Sequence, residues 1–172
     1  MSKILLMTMR RAALTKSNLI VRAVFIFLIV GSAFPAWAAL GADFASVQAD
    51  QVHLQGTLRS TAMGSYTVHE IQAASGTVVR EYVSSSGVSA GKVFAIGWKG
   101  PWPPDMRQVL GSYFDQYVEG VKAQRAARVG RAPLVIEQPG LVVHMSGHPR
   151  SFSGQAYVPE MLPAGVHAED IQ

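Results

Sequence analysis

Twelve residues, Ala23 to Phe34, form an apolar run that follows 22 residues carrying Lys3, Arg10, Arg11, Lys16 and Arg22 and no acid. A basic segment leading into a short apolar one is the pattern of an export leader, and it decides which part of the chain has to fold. Pro35 ends the run, and Ala36 and Ala38 place small side chains where a signal peptidase needs them. Cleavage is expected between Ala38 and Ala39, leaving about 134 of the 172 residues to fold. As a helix the twelve residues rise only about 18 Å, against about 30 Å of bilayer hydrocarbon. A cleaved leader therefore fits better than an anchor. The periplasm is the expected compartment, with secretion, or the inner membrane for an uncleaved form, as alternatives. Arg10 and Arg11 lack the flanking residues of a twin-arginine signal.

Removing the leader reverses the electrostatic reading. The whole chain has 15 basic and 11 acidic side chains. The leader takes five of the basic residues and none of the acids, so ten basic residues face eleven acids and the formal net charge of the remainder is −1. The basic character belongs to the leader, and nucleic acid is not an expected partner. The absence of cysteine excludes disulfides, thiolate metal sites and cysteine nucleophiles. Stability must come from one packed core, which a domain of this length can supply.

Residues 39–64 are weakly periodic and interrupted by Gly41, Gly56 and Gly64. They read as an irregular N-terminal arm with a short helical turn near Phe44–Gln51. Residues 65–172 read as a single α+β domain. Segments 65–72 and 77–83 are rich in β-branched and aromatic residues around a turn at Ala73–Gly76, which predicts a hairpin. Segment 92–98 reads as a central strand with Phe94, Ile96 and Trp98 on one side. Asp105 then stands as an N-cap with Gln108 three residues on. Met106, Val109, Leu110, Tyr113, Phe114, Tyr117, Val118 and Val121 recur at helical spacing, predicting one long amphipathic helix that ends at Gly130. Strands are predicted at 133–138, 141–146 and 152–158, followed by a proline-rich surface tail. The expected architecture is an antiparallel sheet of about six strands in the order β-β-β-α-β-β-β, with the helix packed on one face. One helix does not cover both faces of such a sheet, so the second is left to solvent, the arm, a partner or a ligand.

Several segments together carry a resemblance: Ala39 to Gly41; Gly100 to Asp105, reading Gly-Pro-Trp-Pro-Pro-Asp; Leu110 to Tyr117; Ala156 to Pro159; and Leu162 to Val166. In these the chain resembles the exported bacterial family known as domain of unknown function 2844. The resemblance spans essentially the whole exported domain. It implies Gram-negative origin and export, and it brings no activity, cofactor or catalytic residue with it.

Chemistry-bearing motifs are sparse. No serine sits in a Gly-x-Ser-x-Gly elbow, and no phosphate-binding glycine loop is present. His144 and His148 are four apart but straddle a strand end before Pro149, so they are poor metal candidates; that spacing serves a metal on a helix. His69 and Glu70 are neighbours on a strand and point to opposite faces. Segment 98–104 holds Trp98 and Trp102 among three prolines, which reads either as a binding edge or as a stiff strand-to-helix connection. The candidate ligand-binding residues are therefore Tyr66, His69, Trp98, Trp102 and His144. No catalytic residue, metal or cofactor is expected. The leading expectation is a non-enzymatic binding or interaction module that meets an envelope protein or small ligand. The alternatives are a small hydrolase using His144, His148 or Glu137, and a structural envelope protein that buries its open face as a homodimer.

Overall fold

Seven strands pair antiparallel in one sheet: β1 (Thr57–Ala62), β2 (Tyr66–Gln72), β3 (Val78–Ser84), β4 (Val93–Gly100), β5 (Leu134–Gln138), β6 (Leu141–His148) and β7 (Ser151–Tyr157). Their spatial order is β1-β2-β3-β4-β7-β6-β5. The helices are α1 (Phe44–His53), α2 (Met106–Leu110) and α3 (Phe114–Ala127). The computed structural model describes residues 40–127 and 133–172. The expected leader, its expected cleavage position at Ala38 and Ala39, and the expected helix end at Gly130 lie outside the described residues.

The α+β class and the antiparallel sheet hold, with seven strands instead of about six. The arm expected over 39–64 is structured. α1 begins where the Asp43 side chain accepts from the Ala45 N–H at 3.0 Å, closing a helix end that would otherwise leave donors unpaired. It runs on to His53, past the single turn expected there. β1 gives no periodic signal because five of its six residues are exposed. What makes it a strand is pairing with β2, from Thr57 opposite Gln72 to Ala62 opposite Thr67.

The long helix is broken. Asp105 caps α2 as expected, accepting from the Arg107 and Gln108 N–H groups. Gly111 then takes φ 51°, a left-handed conformation that glycine adopts at little cost, and a 3-10 turn leads into α3. The apolar stripe nevertheless stays on one side. Val109, Leu110, Tyr113, Phe114, Tyr117 and Val121 all pack on a core that includes Val47 of α1 and Ile71, Val79, Ile96, Trp98, Ile136, Val143 and Ala156 of the sheet. This is the helix face.

Phe94 departs from the strand pattern. Tyr82 pairs with Ala95 but Val83 pairs with Val93, so Phe94 is the extra residue of a β-bulge. The bulge turns Phe94 to the same side as Ala95, away from Ile96 and Trp98. There it joins Tyr82, Val166 and Ile171 in a second, smaller core. The tail after β7 thus does more than lie on the surface: through Val166 and Ile171 it straps part of the sheet face that the helices leave open. We call this the strap face.

Candidate functional site

One cross-strand row crosses the whole strap face. Arg59 stands opposite Glu70, Glu70 opposite Arg80, Arg80 opposite Gly97, Gly97 opposite Gln155, Gln155 opposite His144 and His144 opposite Val135. Cross-strand partners share a face, so seven strands contribute one residue each to a mostly polar line. At its centre Gly97 leaves room for the strap, since a Cβ there would lie 2.7 Å from the Gln172 main-chain oxygen. Arg80 Nη1 donates to that oxygen at 3.1 Å and its Nε donates to Glu70 at 2.8 Å. The Tyr82 hydroxyl donates to the same oxygen and accepts from the Gln172 N–H, each at 2.9 Å.

The strap divides this face into two open grooves. The larger, of about 700 Å³, runs over β4, β7 and β6 and presents Arg80, Lys99, His144, Ser146, Ser153 and Gln155. No aspartate or glutamate lines it. The smaller, of about 350 Å³, lies over β1 to β3 between Arg59, Tyr66, Glu70, Arg80 and Asp170. At the rim of the larger groove His144 Nε2 stands 3.8 Å from Glu137 Oε1, close enough for attraction once the imidazole is charged but too far for a hydrogen bond.

The expected site residues divide between the two faces. Tyr66 lines the smaller groove and His144 the larger, with the strap between them. Trp98 is 1% exposed in the helix-face core, while Trp102 is 58% exposed and lines neither groove. Its carbonyl accepts from the Thr77 hydroxyl at 2.7 Å, which fixes the connection after β4. His148 is exposed near Pro149, and among the described residues no cluster of three or more His, Asp or Glu has metal-binding geometry.

His69 is buried on the helix face, and Glu70 lies on the other, paired with Arg80. Burial lowers the His69 imidazole from its ordinary value. Its Nδ1 lies 2.7 Å from Ser60 Oγ, and its ring centroid lies 4.8 Å from that of Phe44. Ser60, His69 and Glu81 form a cross-strand row, but both Glu81 oxygens lack a hydrogen-bond donor, so no hydrogen bond joins the acid to the imidazole and the row is not a connected triad. Arg80, Lys99 and Gln155 could not be singled out from sequence, because only the register brings them together.

Fold and grooves define a small α+β protein with one sheet face sealed by helices and the other partly open. The family model described as "Protein of unknown function (DUF2844)" matches residues 36–171, and the chain belongs to that family. Comparison with curated proteins and with solved structures finds no match.

Proposed function

We propose that this protein is exported through its leader and acts as a non-enzymatic binding module, taking a small ligand or a segment of an envelope partner on the strap face. The observation that carries the reading is the larger groove. It offers two cations, an imidazole, hydroxyls and an amide over about 700 Å³ with no lining aspartate or glutamate, on the face that the helices do not cover. Lys99 is exposed there, whereas Arg80 is held by Glu70 and Gln172, so Lys99 is the cation free to meet a polar or anionic ligand. The expected Trp102 edge is a poorer site, because its indole stands outside both grooves.

Titration of isotopically labelled protein with fractions of envelope extract, followed by amide shifts, tests this. Binding is expected to move amides of β4, β6 and β7 and to be lost in Lys99→Glu. Shifts confined to the Trp102 loop and abolished by Trp102→Ala would replace the groove with that edge.

A further inference from the structure

α1 meets the sheet through two carboxyl groups. Asp50 of α1 and Glu81 of β3 are both 0% exposed. Buried carboxylates ordinarily require a cation. Among the described residues neither forms an ion pair with a lysine or arginine. Gln108 Nε2 of α2 donates to Asp50 Oδ1 at 2.7 Å, whereas Asp50 Oδ2 and both Glu81 oxygens find no donor. The other groups turned toward the pair supply none. His69 of β2, the cross-strand partner of Glu81, has its Nδ1 on Ser60; Ile96 of β4 is apolar; His53 of α1 acts on Asp50 through its charge alone. Two ionised carboxylates so placed would repel at low dielectric with three lone oxygens between them.

We propose that Asp50 and Glu81 share one buried proton, donated by Glu81 to Asp50, and that this proton clasps α1 to the sheet and is surrendered as the medium turns alkaline. A single proton supplies the missing donor and removes the like-charge contact at once. Burial, with the Asp50 charge beside it, holds the Glu81 carboxyl well above its ordinary 4.5. Asp50 is also raised, chiefly by burial, with the proposed proton from Glu81 and the Gln108 amide pulling it back. A folded-state value above the unfolded one means that the folded chain holds a proton the unfolded chain has released. Stability from Glu81 is therefore full below about pH 4.5 and is lost as pH rises from there through the raised folded value. In that window the folding equilibrium constant falls by roughly tenfold per pH unit for the one proton. The helix face thereby becomes responsive to pH independently of any ligand on the strap face.

Glu81→Gln keeps the shape and a donor but cannot ionise. Unfolding of the full chain, wild type and variant, is compared from pH 5 to 9; His69 titrates in both and drops out of the difference. Wild type is expected to lose stability relative to the variant as pH rises, and exchange of the amides of residues 44–53 to accelerate more in wild type than in the variant. A difference that stays flat across the range overturns the clasp. Should the variant not fold, calorimetric unfolding of wild type at pH 7 in buffers of different ionisation enthalpy counts the proton directly. Release of a proton supports the proposal and absence of release refutes it.

Discussion

Gly154 of β7 and Trp98 of β4 are cross-strand partners, and the indole occupies the space a side chain at 154 would need. A Cβ at 154 would stand 2.8 Å from Trp98 Cε2 and 2.7 Å from the His144 carbonyl oxygen. Backbone and a fully packed indole offer no room, so Gly154→Ala is expected to cost about 1–3 kcal/mol through overpacking. Urea unfolding checks this, and an unchanged midpoint would show that the indole can move.

The two tryptophans of segment 98–102 separate on the same measurement. Trp98 fills the helix-face core, so Trp98→Ala should cost about 3–5 kcal/mol. Trp102→Ala removes an exposed ring while leaving the carbonyl that Thr77 uses, and should stay within about 0.5 kcal/mol.

Elements with a one-sided pattern were legible in the sequence, and those defined by their neighbours were not. The Met106 to Val121 stripe, the Asp105 cap and the hairpin through Gly76 each carry a local signature. β1 has none, because pairing with β2 alone makes Thr57–Ala62 a strand. Phe94 obeys alternation up to a bulge that only the register with β3 exposes. Val166 and Ile171 are too sparse to announce a second core, yet they cover the face that the helix count leaves open. Asp50 and Glu81 look like ordinary surface acids until α1 and β3 are brought together. Gln108 fits the capping-box spacing, but its side chain reaches Asp50 instead of closing the box.

His69 gives a pH dependence of the opposite sign to that of the acid pair. Burial lowers its imidazole below 6.5, so the unfolded chain takes up a proton that the folded one resists. Stability from this source is present above pH 6.5 and is lost as pH falls from there through the depressed folded value. Wild type should therefore lose stability relative to His69→Gln as pH falls from 7 to 5. Denaturant midpoints of the two proteins across that range check it; a constant gap would mean that the folded imidazole protonates freely.

At the β5 edge the Gln124 side chain copies a strand: its Nε2 donates to the Val135 carbonyl at 2.9 Å and its Oε1 accepts from the Val135 N–H at 3.3 Å. Gln124→Ala removes both bonds and uncovers an unpaired edge. The expected result is a loss of about 1 kcal/mol, with concentration-dependent self-association by sedimentation velocity. A variant that remains monomeric at high concentration would show that the bulk of α3, and not the amide, guards this edge.

The proposed export would set the conditions under which both titrations matter, and that reading rests on how short the apolar run 23–34 is. If a peptidase removes the leader, the native protein should begin at Ala39 and leave the cell with the periplasmic fraction. Ala38→Arg puts a long charged side chain where a small one is needed, and should accumulate membrane-bound precursor larger by the leader's mass. Intact mass and cell fractionation of both forms read this out. Recovery of unprocessed wild-type chain from the cytosol would remove the compartment and, with it, the envelope partner sought for the groove of Lys99 and His144.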